Sequence, residues 1–364
     1  MTEQLSPRIP LHRMLEDMMK QEASDLYLCA NTQPRLSQQG QFIVYHEHQL
    51  APEETDYYAN QLMSDKDKRL FTEEHEANVS YVVEGKGRFR VNVFVQRNTT
   101  AIVIRRITTD IPNLQQLSLP PLLGELSNKA RGMILVTGAT GSGKSTTLAA
   151  MIDHRNQTHG GHIITIEDPV EFIHTHKKAI ISQREVGIDT KSFHAALKNS
   201  LRQAPEVIYI GEIRDTETMG FALHASETGH LVLGTLHSNN ANQTLERISN
   251  FFPHDFQDQL RLQLSLNLRS IISQRLVKKI NGGRVAAMEI LLDTPTVREL
   301  VLKGEIRMIK TAMMNARNEG MQTFDMHLHE LWKQGLITEE EAFRNADSAN
   351  NLRLQMKGVA TAAT

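Results

Sequence analysis

Gly138-Ala139-Thr140-Gly141-Ser142-Gly143-Lys144-Ser145 fits the spacing G-x-x-x-x-G-K-[ST]. These residue types in this order cradle phosphate. The glycines let successive backbone N–H groups turn toward one anion. A helix that begins at the lysine adds its own unpaired N–H groups and partial positive charge. Lys144 has the length to reach the β- and γ-phosphates of a nucleoside triphosphate, and the Ser145 hydroxyl suits Mg²⁺. Thr146 reads as polarity at the helix start, the lesser alternative being a contact to the α-phosphate.

Other residues could share that chemistry. Val207 to Glu212 (VIYIGE) is an apolar run ending in an acid. An acid at the C-terminal tip of a strand beside the phosphate loop faces the phosphates, so Glu212 could hold Mg²⁺ directly or through water. Glu167, Asp168 and Glu171 follow another apolar run, and one carboxylate there could take a proton from an attacking water. Spacing alone does not select among the three. His230 and His237 bracket a strand, His237 at its C-terminal end, where a histidine could sense a γ-phosphate. A histidine by itself is more often structural. Arg88, Arg90, Arg97, Arg105 and Arg106 crowd two strands. Arg90 and Arg105 fall on successive strands, so both could reach one ligand as charge clamps. The other reading is a solvated, acid-pairing face.

The positioning elements follow from apolar periodicity. Met133 to Thr137 reads as a buried strand. Thr146 to Asn156 reads as a helix, with Leu148, Met151 and Ile152 on one face. Strands at 133–137, 162–166, 207–211 and 231–236 alternate with helices at 144–156, 192–203, 216–228 and 241–250, which predicts a parallel sheet. Residues 256–277 read as one long helix after Pro253. Asn281-Gly282-Gly283 turns into a short strand ending in 288–292, and helices continue to about 345.

Upstream, 25–30, 41–45, 79–83, 89–96 and 101–107 read as strands. A helix is expected at 52–63, and the stripe of Leu11, Met14, Leu15, Met18 and Met19 has helical spacing. Together these predict a small α+β domain. Three prolines within 111–121 read as a linker. The expected organisation is a first domain at 1–111, a linker at 112–126, a second domain at 127–357 and a disordered tail at 358–364.

The chain has 364 residues, enough for two cores, and a net charge of −2, so no global basic field points to nucleic acid or an acidic membrane. Its one cysteine, Cys29, allows no disulfide within the chain and reads as a small buried hydrophobe in a reducing compartment. The start lacks a signal-peptide pattern, and no apolar stretch approaches the ~20 residues of a membrane span. A cytoplasmic protein is expected.

GATGSGKST, TIEDPVEF, IGEIRD and ETGHLVLGTLH, in that order, resemble the Walker A, Asp box, Walker B and His box of bacterial secretion and type IV pilus motor ATPases. The resemblance extends to QEASDLYL and to the arginine-bearing GRFRVNVFVQRN, so it covers nearly the whole chain. No long N-terminal extension and no tetracysteine zinc motif are present, which points to the PilT/PilU-type retraction branch. VGIDTKSF, LRQAPEVI, FAL-x-ASETGH and NADSANNLRL resemble the PilU subgroup most. PilT proteins carry AIRNLIRE after the Thr-Pro turn, whereas the stretch Thr294 to Val301 reads TPTVRELV here, which implies an accessory role beside a PilT-type paralogue.

The resemblance implies a PAS-like N-terminal α+β domain followed by a RecA-like P-loop ATPase domain of α/β class. It implies ATP and Mg²⁺ as ligands, Glu171 as general base and Glu212 as the Walker B partner of Mg²⁺. His230 and His237 become the His-box pair, and Arg90 and Arg105 become phosphate clamps. It further implies a homo-hexameric ring docked on an inner-membrane platform protein, powering pilus retraction and twitching motility. One rival is a RecA-like nucleic-acid translocase. The net charge and the lack of an aromatic-rich basic stretch count against it. A second rival is a ring that transmits a paralogue's force while its own hydrolysis is dispensable. Intact Lys144, Glu171 and Glu212 favour hydrolysis.

Overall fold

The computed structural model describes residues 9–38, 41–83, 87–108 and 110–357. The expected tail at 358–364 lies outside the described residues. The chain divides into two compact units, 1–109 and 110–364.

The first unit opens with α1 (Leu11–Lys20), β1 (Asp25–Cys29), β2 (Arg35–Gln38) and β3 (Gln41–Val44). Next come α2 (Pro52–Leu62), α3 (Asp65–Glu74), β4 (Glu76–Val83), β5 (Gly87–Gln96) and β6 (Thr99–Ile107). The strands form one antiparallel sheet in the order β3-β2-β1-β6-β5-β4. The methionine stripe is core: Leu11, Met14, Leu15 and Met18 are buried in the cluster that covers the sheet. On β5, Phe89, Val91 and Val93 point into that cluster, so the period of two sends Arg88, Arg90 and Asn92 to the other face. α3 was not expected. It is capped by Ser64, whose hydroxyl accepts from the Asp67 N–H, and it buries no residue, so it has no apolar stripe to find. Cys29 departs from expectation in being only partly buried. Burial raises its thiol pKa, which keeps it protonated and unreactive.

The second unit contains α4 (Leu122–Ser127), β7 (Gly132–Thr137), α5 (Lys144–Thr158), β8 (Gly161–Glu167), β9 (Ala179–Glu185) and α6 (Phe193–Ser200). β10 (Val207–Ile210), α7 (Thr216–Glu227), β11 (Leu231–Leu236), α8 (Ala241–Asn250), α9 (Gln257–Asn267), β12 (Leu268–Lys278) and β13 (Arg284–Leu292) follow. The unit closes with α10 (Pro295–Lys303), α11 (Ile309–Asn315), α12 (Phe324–Lys333), α13 (Glu339–Asn345) and α14 (Ala349–Met356). Its sheet runs β13-β12-β7-β11-β10-β8-β9, parallel throughout except for the β12–β13 pair. Helices cover both faces. Leu148, Met151 and Ile152 of α5 pack with Ile134, Val136, Ile163 and Tyr209 on one face. Met219, Leu223, Leu245 and Leu260 pack with Leu135, Ile166 and Ile208 on the other. This double covering explains why β7 is buried at every position and reads as an unbroken apolar run.

Two expectations are corrected. Residues 256–277 are not one helix: α9 ends at Asn267, and Leu268 starts β12, which lies parallel to β7. Ile271, Ile272 and Val277 are β-branched and buried, so a strand covered on both faces imitates a helix's apolar run. The stretch 112–126 is not a free linker. Leu119, Leu123 and Leu126 are buried beside α5, and Pro120 and Pro121 lead directly into α4. Among the described residues no helix is long and apolar enough to cross a membrane.

Candidate nucleotide-hydrolysis site

The phosphate loop spans the six residues between β7 and α5. Gly138, Gly141 and Gly143 take φ of +148°, +77° and +89°. A Cβ on Gly138 would stand 2.5 Å from the Gln274 carbonyl oxygen, and one on Gly143 would stand 2.8 Å from Gln274 Nε2. Only glycine meets both the conformation and the close approach. Gln274, on β12, braces the loop: Nε2 donates to the Ser142 carbonyl at 2.7 Å, and Oε1 accepts from Thr147 Oγ1 at 2.7 Å. Beneath it the Thr137 hydroxyl donates to Ser273 Oγ at 3.0 Å. Lys144 Nζ donates to the carbonyls of Gly138 (2.9 Å) and Ala139 (3.0 Å). Burial lowers its pKa, and the carboxylates of Glu212 and Glu171 work against that shift. Ser142 Oγ is buried without a hydrogen-bond partner, an unmet polar group in a loop built for an anion.

A cavity of about 520 Å³ opens beside this loop. It brings together Thr140, Gly141, Gly143, Lys144, Ser145 and Thr146 with Glu167, Glu171, Glu212 and His237. A smaller cavity of about 350 Å³ touches the loop at Gly138, Ala139 and Ser142. The acids differ in their surroundings. Glu167 is buried, and its Oε1 accepts from Thr165 Oγ1 (2.6 Å) and Gln183 Nε2 (3.2 Å). Burial pushes its pKa up to about 7, against those hydrogen bonds. Asp168 is exposed, 3.9 Å from Arg214. Glu171 is exposed and open to the cavity. Glu212 Oε2 lies 2.7 Å from Arg214 Nη2, and Oε1 lies 3.3 Å from His237 Nε2. Burial works to raise the Glu212 pKa. The Arg214 hydrogen bond and charge, with His237 and Lys144, outweigh it and hold the carboxyl below its ordinary value. The site therefore combines a phosphate cradle, an ionised acid and an open carboxylate at the C-terminal ends of parallel strands.

The profile of the type II/IV secretion system protein family matches residues 3–289. The chain belongs to this family. It is an ATPase of that family, similar along most of its length to pilus motors. It is 49% identical over 346 residues to the type IV pilus ATPase PilU of Pseudomonas aeruginosa, covering 95% of this chain and 91% of PilU. It is 43% identical over 332 residues to the pilus retraction ATPase PilT of the same organism, covering 91% of this chain and 96% of PilT. The crystal structure of the pilus retraction motor PilT with bound ADP superimposes with a TM-score of 0.88 at 44% identity, covering 94% of this chain and 98% of that one. The chain thus has the nucleotide-binding α/β fold of its family, with an antiparallel first unit and a mostly parallel second sheet.

Among the expected site residues of the second unit, His230 lies outside the cavity. His230 precedes β11, and the strand's six residues put about 20 Å between it and His237 at ~3.3 Å per residue. His230 Nδ1 lies 3.0 Å from the Ala225 carbonyl and 3.2 Å from Thr228 Oγ1, where it closes the end of α7. Arg90 and Arg105 belong to the first unit, where Arg105 Nε donates to Asp25 Oδ1 at 2.7 Å. Sequence reading missed Gln274, Arg214, Tyr209 and Arg284. Arg284 lines both cavities, and Tyr209 lines the larger one. Arg214 had a signal: it follows Glu212 by two residues, just past the strand tip. Tyr209 lies in the same run as Glu212, three residues before it, whereas Gln274 and Arg284 reach the site only through tertiary pairing.

Proposed function

We propose that this chain is a hexameric motor ATPase of type IV pilus retraction, PilU-like, working beside a PilT-type paralogue. Lys144 and the loop N–H groups hold the phosphates of ATP. Glu171 accepts the proton of the attacking water. His237, bonded to Glu212, reports on the γ-phosphate. Arg90 and Arg105 supply guanidinium charge to the phosphates, and His230 serves in the His box away from the phosphates. Ser145 and Glu212 are hard oxygen donors on one cavity and fit Mg²⁺, which when bound would neutralise phosphate charge. The ring acts from the cytoplasm on an inner-membrane platform protein of the pilus machine, with nucleic acid playing no part.

One observation supports this reading most: Lys144, Glu171, Glu212 and His237 converge on a single cavity in a chain similar to PilU along nearly its whole length. A second reading, a ring whose own hydrolysis is dispensable, draws on Thr294 to Val301 reading TPTVRELV. Pilus retraction in cells carrying this gene alone, the PilT-type gene alone, or both separates the two. The proposal expects weak or no retraction from this gene alone and a stronger pull with both. It also expects Lys144→Ala to remove that gain. A gain that survives Lys144→Ala favours the dispensable ring.

A further inference from the structure

The segment that carries Glu171 has no regular secondary structure between β8 and β9, yet Val170 and His174 are buried. Apart from an isolated bridge at Phe172, its backbone groups need partners that strand pairing does not supply. The side chains of β9 supply them. Gln183 Oε1 accepts from the His174 N–H at 2.8 Å, and Gln183 Nε2 donates to the Phe172 carbonyl at 2.9 Å. Two residues on, Glu185 Oε2 accepts from the Val170 N–H at 3.2 Å. Positions 170, 172 and 174 are therefore tied down in alternation, and Glu171 between them is left facing the cavity.

The amide of Gln183 plays the part of a peptide group from a neighbouring strand. Its orientation follows from its neighbours, since a backbone donor faces the oxygen and two acceptors face the nitrogen. The second acceptor is Glu167 Oε1, at 3.2 Å. Register supports the arrangement: Thr165 is opposite Gln183, and Glu167 is opposite Glu185, on the paired strands β8 and β9. The Thr165 hydroxyl also donates to Glu167 Oε1, at 2.6 Å. One face of two strands thus forms a polar truss under the loop.

We infer that Gln183, with Glu185, is a positioning residue for hydrolysis, acting through the placement of Glu171. The inference rests on Glu171 being the base. A displacement of about 1 Å in a catalytic group can cost about 100-fold in rate, so loss of one amide is enough to matter. The test uses full-length wild type, Gln183→Met, Glu171→Gln and the double variant. Gln183→Met is expected to lower kcat about 10- to 100-fold while KM and the affinity for fluorescent ADP stay within about twofold. In the Glu171→Gln background it is expected to cost less than about twofold more. Hydrogen exchange is expected to quicken in residues 168–175 and to stay unchanged in the phosphate loop. Wild-type kcat in Gln183→Met, a fully additive loss in the double variant, or unchanged exchange at 168–175 overturns the inference. Wild-type turnover in Glu171→Gln overturns it by a different route, because the base assignment itself then fails.

Discussion

Arg90 on β5 and Arg105 on β6 stand directly opposite each other in the antiparallel ladder. Like charges in opposed positions cost roughly 0.2–1 kcal/mol. On its other side Arg105 faces Asp25, which relieves it through a 2.7 Å ion pair, while Arg90 faces Ser80. A row of Asp25, Arg105, Arg90 and Ser80 is poor design for stability and good design for gripping an anion. Arg90→Ala is therefore expected to melt within about 2 °C of wild type or slightly above it. Its turnover at saturating ATP is expected to fall ~10³-fold. Arg105→Ala is expected to lose similar turnover and to melt slightly lower. Normal turnover in both variants, measured on proteins of normal melting temperature, removes the clamp.

Lys144 rests on two loop carbonyls and supports no core packing. Lys144→Ala is expected to abolish ATP hydrolysis and to change melting by no more than a few degrees. Steady-state phosphate release and thermal melting check both halves. Hydrolysis at the normal rate would contradict the assignment of the loop.

Glu212 is kept ionised by Arg214 and His237. Glu212→Gln removes the charge that favours a bound cation. The half-saturating Mg²⁺ concentration for turnover is expected to rise about 10- to 100-fold. A magnesium titration with an unchanged midpoint would leave Glu212 without a metal role.

Glu289 is buried on β13, where its Oε1 accepts from the Ala241 N–H at 2.8 Å. Burial pushes its pKa up to about 7, against that hydrogen bond. Between 4.5 and about 7 the folded chain holds a proton that the unfolded chain has released, so stability falls as pH rises through this window. His174 and His327, pushed down to about 4 by burial, act oppositely and cost stability as pH falls from 6.5 toward 4. Glu289→Gln isolates the first effect. It is expected to melt several degrees above wild type at pH 8, from a difference of roughly 3 kcal/mol. The gap is expected to narrow toward pH 4.5. A gap that widens as pH falls has the wrong sign.

The parts of the site carried by local sequence were legible. Gly138 to Ser145 is one contiguous motif between a strand and a helix. Glu212 was found because an acid at the end of an apolar run marks a strand tip. The Glu167–Glu171 stretch was found as a group, but only burial separates Glu167 from the open Glu171. Gln274 and Gln183 were invisible, because a lone glutamine carries no pattern and Gln274 meets Ser142 across 132 positions of chain. β12 was misread for a related reason. Leu264, Leu268, Ile271 and Ile272 satisfy helical spacing, and only pairing with β7 and β13 decides that the second half is a strand. His237 was legible as the C-terminal end of β11, and that end of a parallel strand is the one that opens on the phosphate loop, while His230 sits at the other end.

Turnover by Glu171→Gln, set beside Glu167→Gln, tests the hydrolytic chemistry most directly. Glu171 is open to the cavity, and a carboxamide there cannot accept a proton. Glu171→Gln is expected to bind fluorescent ATP with wild-type affinity and to lose turnover by about 10²- to 10⁴-fold. Wild-type turnover in Glu171→Gln, with Glu167→Gln inactive, would contradict it and move the base to the buried acid.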